Sequence, residues 1–185
     1  MKPMAGSATV RFTYQDYLNL PEDRRYELID GDLLLSPSPT ERHQRALLNL
    51  AVLLSAFAEA NHLGRVYVAP FDVVISDTDV MQPDILFVSN ERASRIGERA
   101  VHGTPDLVVE ILSRSTAERD RTIKAKLYAR AGARELWLLD PVAKTFEVFV
   151  NTESGFQSNS ISGADQIARS PLLPDLAIEV AKLFS

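Results

Sequence analysis

Two nearly continuous apolar runs enclose a helix-like segment in the second half of the chain. The runs are 107–112 and 135–140, and apolar strands of this kind are buried on both faces of a sheet. Between them, Ser115-Thr116-Ala117-Glu118 has the pattern of a capping box that starts a helix running to about Ala131, and Gly132 is a typical stop. A strand, a helix and a second strand in this order favour a parallel crossover. The sequence therefore predicts an α/β fold with a mixed β-sheet flanked by helices.

Shorter elements are predicted around this unit from turn residues and local periodicity. They are a helix at 12–20 capped by Thr13, a hairpin at 26–35 that turns at Asp30-Gly31, one strand at 66–75 with a bulge or edge position at Pro70, a turn at 77–79, a strand at 84–88, a polar segment at 89–103, a strand at 145–150, a polar loop at 151–165, and a strand or short helix at 176–184.

A longer helix is predicted to begin at Ser38-Pro39-Thr40-Glu41. Ser38 would cap it, Pro39 would take the first helical position, and Glu41 would complete a capping box. Positions 43, 47, 50, 54 and 57 form one stripe, and nearly all of 46–58 is apolar. We therefore expect this helix to be buried on most sides.

Composition limits the classes of site that are available. The chain has 185 residues, 45% of them hydrophobic, which fits one globular domain with a core at about 12–180. It has no cysteine and three histidines, which excludes disulfides, thiolate zinc sites, iron–sulfur clusters and a cysteine nucleophile. Residues 1–10 lack the apolar stretch of a signal peptide, and 46–58 is too short to span a bilayer, so we expect a cytoplasmic protein.

An acidic residue inside the first apolar run is the sharpest anomaly. Glu110 lies among side chains that favour burial, and a buried carboxylate is costly unless it is paired or binds a metal. The alternative is an edge strand with Glu110 pointing to water. Asp84 follows Pro83 at the start of another strand, although a Pro-Asp turn is a common way to begin one. On neighbouring strands the two carboxylates could converge on Mg²⁺, which proteins usually bind through one or two carboxylates.

The helix between the apolar runs carries a second group of candidates. Asp120, Lys124 and Tyr128 are spaced four residues apart and share one face. The crossover would lay this helix over the sheet near the carboxylates. For this helix alone, a solvated Asp–Lys pair above a packed tyrosine is the simpler interpretation. His43 likewise fits a satisfied core histidine better than a ligand, and Glu27, in an apolar hairpin strand, poses the same problem as Glu110 in weaker form.

Charge is unevenly distributed. The net charge of −5 argues against a protein that coats nucleic acid non-specifically. Residues 114–134 nevertheless contain seven basic residues against two acidic ones, and Arg92, Arg95 and Arg99 form a more dilute basic segment. These segments are the candidates for contact with a phosphate backbone. The sequence has no P-loop, dinucleotide-binding glycine pattern, Gly-x-Ser-x-Gly elbow or zinc-protease motif.

Several separated motifs together resemble one known family. They are Tyr26-Glu27-Leu28-Ile29-Asp30-Gly31, Arg42-His43-Gln44, Gln82-Pro83-Asp84, the run 105–113, the spacing Asp120, Lys124 and Tyr128, and the run 135–141. Their order and spacing over about 12–180 are similar to the bacterial family named "putative restriction endonuclease". This family was formerly a domain of unknown function and belongs to the PD-(D/E)XK nuclease superfamily.

The resemblance implies a restriction-endonuclease-like core and assigns roles to particular residues. Asp84 matches the aspartate of the Pro-Asp motif, and Glu110 matches the acidic residue of the (D/E)XK motif. Leu112 stands where that motif has lysine, and Lys124, on the following helix, is the matching position in this family. The positions implied to support the site are Glu27, His43, Gln82 and Tyr128.

The resemblance further implies a nuclease that hydrolyses phosphodiester bonds in DNA, with RNA left open. Asp84 and Glu110 would bind Mg²⁺ or Mn²⁺. Lys124 would position or activate the attacking water or contact the scissile phosphate. The residues expected to contact the nucleic-acid backbone are Arg114, Arg119 and Arg121.

A homodimer is expected, because restriction-like nucleases that cut both strands commonly act as dimers. The strands 136–139 and 146–150 are candidates for the sheet edge at which two copies would pair. The alternative to an enzyme is a catalytically inactive nuclease-fold module for nucleic-acid or protein binding. In that module Glu110 would pair with Lys124 and no metal would bind.

Overall fold

The computed structural model describes residues 10–21 and 23–185. Its helices are α1 (Tyr14–Tyr17), α2 (Glu41–Ala60), α3 (Ala117–Arg119), α4 (Ala125–Ala131) and α5 (Val180–Leu183), with a 3-10 helix at Asn90–Arg95 and a π-helical turn at Asp120–Lys124 that joins α3 to α4. Its strands are β1 (Tyr26–Ile29), β2 (Asp32–Leu35), β3 (Gly64–Val68), β4 (Asp72–Ser76), β5 (Asp79–Met81), β6 (Ile85–Ser89), β7 (Ala100–His102), β8 (Leu107–Ile111), β9 (Glu135–Asp140), β10 (Thr145–Thr152), β11 (Gly155–Ser162), β12 (Ile167–Arg169) and β13 (Ala177–Glu179). No helix in the described part of the chain is long and apolar enough to cross a membrane.

A six-stranded sheet with the order β11-β10-β9-β8-β6-β3 forms the centre of the fold. β8 and β9 are parallel and their other neighbours are antiparallel, so the sheet is mixed. Side chains of β8 alternate between the two faces. Leu107 and Val109 pack with α2 on one face, whereas Val108 packs with Leu127 of α4 on the other. The predicted α/β fold, with a mixed sheet flanked by helices and a parallel crossover, is confirmed.

A second, five-stranded sheet has the order β2-β1-β5-β4-β7. It packs on the α4 side of the central sheet, where Ile29 and Met81 share a core with Val108. The chain passes from the second sheet to the central one between β5 and β6, which places Gln82 and Asp84 at the junction. β12 and β13 pair separately, and Ile178 packs in the core beside α2.

The start of α2 differs from the prediction. Its cap is Thr40, whose hydroxyl accepts a hydrogen bond from the His43 backbone N–H at 3.3 Å. The predicted cap at Ser38 and first helical position at Pro39 are therefore wrong, because Thr40 is still in an extended conformation and supplies the capping hydroxyl.

The burial predicted for α2 is also wrong. Leu48 is 61% exposed and Val52 is 62% exposed. Only one side of the helix packs on the sheet, through a stripe that includes Leu50 and Leu54.

The predicted capping box at 115–118 does not form, because Thr116 caps α3 without a side-chain hydrogen bond. The hydroxyls of Ser113, Ser115 and Thr116 instead bond to one another, at 3.2 Å and 2.9 Å from Ser113 Oγ. The predicted stop is correct, since Gly132 ends α4 with φ at +90°. The predicted helix at 12–20 is shorter than expected and keeps its Thr13 cap.

Several strand boundaries were predicted incorrectly. The single strand at 66–75 is two strands in different sheets, β3 and β4, with a cis Ala69–Pro70 bond between them. The predicted turn at 77–79 ends in β5, and the polar segment at 89–103 contains a 3-10 helix and β7.

The predicted loop at 151–165 contains β11, which pairs with β10. β11 lies at the edge of the sheet and exposes polar side chains, so it lacks an apolar signal. The expectation that 136–139 and 146–150 supply a dimer edge is wrong. Both lie inside the sheet, in β9 and β10, and its edges are β11 and β3.

Candidate active site

Most of the side chains singled out in the sequence meet in one cavity of about 340 Å³. The cavity lies between β1, the start of α2, the β5–β6 connection, the end of β8 and the first turns of the crossover helix. The polar side chains predicted for the site that line it are Glu27, His43, Gln82, Asp84, Glu110 and Lys124, together with Asp120.

Lys124 lies at the centre of the charged groups. Its Nζ is 2.7 Å from Glu110 Oε1, 2.8 Å from Glu27 Oε1 and 3.7 Å from Asp120 Oδ1. Burial by itself would lower the pKa of Lys124, but the three carboxylates raise it above its ordinary value. The ammonium is therefore charged at neutral pH.

Glu110 is almost completely buried, at 3% exposure, in the interior strand β8. The edge-strand alternative, in which Glu110 points to water, is wrong. Tyr128 donates its hydroxyl to Glu110 Oε1 at 2.9 Å. Burial raises the pKa of Glu110 well above its ordinary value; Lys124 opposes this rise, and Asp120, Asp84 and Glu27 add to it. The cavity thus concentrates more negative charge than Lys124 alone balances.

Asp84 is anchored to the end of β8. Its Oδ2 accepts a hydrogen bond from the Ile111 backbone N–H at 2.7 Å and lies 3.2 Å from His43 Nε2. His43 reaches this position from the first turn of α2. The junction between the sheets therefore brings Asp84 to the same cavity as Glu110, 26 residues further along the chain.

The donor set fits a hard divalent cation. Among the described residues, no group of three or more His, Cys, Asp or Glu side chains forms an all-protein metal site. Mg²⁺ is usually held by one or two carboxylates and keeps several waters. The contacts above use Asp84 Oδ2 and Glu110 Oε1, which leaves Oδ1 and Oε2 as the oxygens that could face a cation.

The two charged groups that the crossover helix presents to the cavity both lie in its π-helical turn. A π-helical turn contains more residues than an α-helical one, and such turns are frequent at functional sites. Within it, both Asp120 and Lys124 are buried. Leu112, directly after β8, packs among apolar side chains such as Leu138. The ammonium at Glu110 is thus supplied by the helix and not by β8.

The basic residues predicted to contact nucleic acid fall into two groups. Arg114 and Arg119 line the cavity, and Arg119 Nη2 is 3.9 Å from Glu27 Oε2. Arg121 does not join them, because its guanidinium pairs with both oxygens of Glu147 at 2.7 Å and 2.6 Å. Arg25 lines the cavity and was missed, although it directly precedes the 26–31 motif.

Two of the three arginines in the dilute basic segment at 92–99 have a structural explanation. Arg92 bonds to the carbonyls of Thr104, Pro105 and Gly132, and Arg95 bonds to that of Thr104. These two arginines hold loops together away from the cavity.

Two further polar side chains lie behind the cavity and were also missed. Tyr17 and Asp72 hydrogen-bond to each other at 2.9 Å, and both contact the Gln82 side chain. Their separation of 55 residues explains why no local sequence signal identifies them.

Comparisons with known proteins agree with this architecture. A solved structure from Anabaena variabilis ATCC 29413, described as a putative nuclease belonging to DUF820, superposes with a TM-score of 0.80 and 20% sequence identity. The match covers 94% of this chain and 97% of that one, and at this identity it shows the shared fold. No curated protein matches the chain significantly. The model of the Uma2 family, described as "Putative restriction endonuclease", matches residues 14–181, and the chain belongs to this family.

Proposed function

We propose that the chain is a Mg²⁺- or Mn²⁺-dependent nuclease that hydrolyses phosphodiester bonds in DNA. The observation that carries the proposal is the meeting of Asp84, Glu110 and a charged Lys124 in one cavity. Membership of the family described as "Putative restriction endonuclease" supports the reaction class. When bound, the cation would lower the pKa of a water molecule and offset negative charge in the transition state.

Asp84 and Glu110 would hold the cation, each oriented by a donor that uses only one of its oxygens. Ile111 N–H fixes Asp84, and the Tyr128 hydroxyl fixes Glu110. Burial raises the pKa of Tyr128 well above its ordinary value, and Glu110 and Glu27 add to the rise, so this hydroxyl stays a neutral donor. His43 Nε2, which contacts the same oxygen of Asp84 as the Ile111 N–H, would help to hold the Asp84 carboxylate in place.

Lys124 would act as a cation and not as a general base. The carboxylates that raise its pKa keep its three N–H donors in place. The ammonium can then position the attacking water or bind an oxygen of the scissile phosphate. Glu27 and Asp120 contribute by holding Lys124 charged and oriented.

The nucleic acid would be contacted through a local basic surface. Arg25, Arg114 and Arg119 line the cavity and are placed to contact phosphates. Since the net charge is −5, we expect weak non-specific binding that falls steeply with salt.

A cytoplasmic location suits a DNA substrate. A homodimer stays part of the proposal, with β11 and β3 as the edges of the central sheet that could pair.

One observation favours a second candidate function. The 2.7 Å contact between Lys124 Nζ and Glu110 Oε1 lets the cluster neutralise part of its own charge without a metal. A catalytically inactive module for nucleic-acid or protein binding would have this arrangement.

Cleavage of supercoiled plasmid at low salt, with Mg²⁺ or Mn²⁺, tests the proposal. The wild type should nick the plasmid only with the cation present, and Glu110→Ala should not. Glu118→Ala, which removes an exposed carboxylate from α3, is the matched control and should nick as the wild type does. Nicking by Glu110→Ala at the wild-type rate would overturn the assignment. Absence of nicking by the wild type with either cation, on plasmid and on single-stranded DNA, would favour the binding module.

A further inference from the structure

The Gln82 side chain is fixed by a polar network that the catalytic roles above do not use. Its Nε2 donates to Asp72 Oδ1 at 2.8 Å and lies 3.2 Å from the Tyr17 hydroxyl. The Tyr17 hydroxyl donates to the same Asp72 oxygen at 2.9 Å. The backbone N–H of Gln82 donates to Glu27 Oε1 at 3.1 Å, the oxygen that also contacts Lys124.

This network determines which end of the Gln82 amide lies against Asp72. A carboxylate only accepts hydrogen bonds, so Asp72 attracts the amide NH₂ and repels the amide oxygen. Rotation of the amide by a half turn would place Oε1 against Asp72 Oδ1 at the 2.8 Å now spanned by the hydrogen bond. Asp72 therefore turns Oε1 away from itself.

Gln82 Oε1 is buried and has no hydrogen-bond partner among the described residues. A buried acceptor without a donor costs about 1–3 kcal/mol. The residue lines the cavity with Asp84, from which only Pro83 separates it, and with Glu110. An amide oxygen is a suitable ligand for a hard divalent cation or for a water in its hydration shell.

We propose that Gln82 Oε1 is a third oxygen ligand of the cation site formed by Asp84 and Glu110, bound directly or through one water. Asp72 and Tyr17 are positioning residues that present this oxygen and not the NH₂ group. The inference rests on the proposed function, because it needs the cation to bind at Asp84 and Glu110. The proposed role accounts for the polar network around Gln82 at the junction of the two sheets.

Mn²⁺ binding to the free protein, measured by isothermal titration calorimetry without nucleic acid, tests the inference separately from catalysis. Gln82→Ala should weaken Mn²⁺ binding about tenfold, the range found for residues that support metal ligands. Gln157→Ala removes the same amide from exposed β11 and should not change it. If Gln82→Ala does not fold, as judged by circular dichroism, Gln82→Met keeps most of the side-chain length without the oxygen.

Variants of Asp72 test its positioning role. Asp72→Ala should weaken Mn²⁺ binding about as much as Gln82→Ala, and the double variant should be no weaker than Gln82→Ala alone, because both remove one interaction. Asp72→Glu keeps an acceptor-only partner for the amide and should bind Mn²⁺ more tightly than Asp72→Ala does, whereas the amide of Asp72→Asn can also donate to Oε1 and should not restore binding. A loss in folded Asp72→Glu equal to that in Asp72→Ala, together with wild-type binding in Asp72→Asn, would overturn the positioning role.

Asp84→Ala separates failure of the inference from failure of the proposed function. Loss of Mn²⁺ binding in Asp84→Ala together with wild-type binding in Gln82→Ala would overturn the role of Gln82 and leave the proposed function standing. Wild-type Mn²⁺ binding in Asp84→Ala would overturn the cation site itself.

Discussion

Two buried glutamates on neighbouring strands illustrate opposite ways of burying a carboxylate. Glu110 on β8 is 3% exposed and Glu135 on β9 is 1% exposed. Glu135 accepts hydrogen bonds from Trp137 Nε1 at 2.8 Å, Ser170 Oγ at 2.7 Å and the Leu172 backbone N–H at 2.6 Å. Its two oxygens are satisfied by three neutral donors, one on β9 itself and two from the segment 170–172.

Glu110 is surrounded by charge. Its Oε1 contacts Lys124 and Tyr128, and its pKa is raised first by burial and further by three carboxylates. It also lines a cavity that a ligand can enter. The comparison shows that burial alone does not separate the two carboxylates. Crowding by like charges beside an open cavity does, because a site of this kind is stabilised by any cation that binds there.

The largest expected effect is on catalysis. With Mg²⁺, Glu110→Gln should lower kcat/KM for plasmid nicking about a thousandfold, or about 4 kcal/mol of transition-state stabilisation. Glu135→Gln should leave kcat/KM per folded molecule near the wild-type value. Similar losses in both variants, measured on protein of verified fold, would remove the distinction between the two glutamates.

The second-largest expected effect is a loss of folding stability. Lys124→Met removes the central cation and leaves Glu110 and Glu27 without their partner, which should lower the free energy of unfolding by about 3 kcal/mol in urea denaturation without divalent cations. Millimolar Mn²⁺ should recover part of this loss, since it replaces the missing positive charge. Lys126→Met, an exposed lysine on α4, is the matched control and should change little.

Glu135→Ala should destabilise the protein by about 2–3 kcal/mol, because Trp137, Ser170 and Leu172 lose a buried acceptor. Urea denaturation with and without Mn²⁺ measures this loss. The cation should not reverse it, in contrast to Lys124→Met. Recovery of Glu135→Ala by Mn²⁺ would mean that the two sites are coupled.

The smallest effect concerns pH. Burial raises the pKa of Asp120, and Lys124 only partly opposes it. Just above the ordinary aspartate pKa of about 3.9 the folded protein keeps a proton that the unfolded chain has released, so this group makes the free energy of unfolding fall as pH rises. Asp120→Asn should flatten that part of the stability profile without divalent cations, whereas Asp165→Asn, in an exposed turn, should not.

The central sheet and the crossover could be predicted because their signals are local. Glu110 was conspicuous because it interrupts a continuous apolar run, and the crossover brought Lys124 towards it. Glu135 gave no such signal, because it begins a strand and its partners Ser170 and Leu172 lie 35 and 37 residues away.

Contacts between the two sheets could not be predicted for the same reason. Glu27 reaches Lys124 from another sheet, and Asp72 meets Gln82 only after the chain has reversed between β4 and β5. β11 escaped prediction because an edge strand with exposed polar side chains has the composition of a loop. Periodicity reports burial against neighbouring elements, and it carries no information on which distant side chains meet.

The π-helical turn at Asp120–Lys124 also bears on how such a chain can change over generations. Deleting one residue before Lys124 would turn Arg119 and Asp120 by about 100° about the helix axis, the angle of one helical residue. Lys124 and α4 would stay in place, held by Leu127 in the core and by the Gly132 stop. A single-codon deletion would therefore change which charges lie beside the ammonium, while α4 keeps its place in the core.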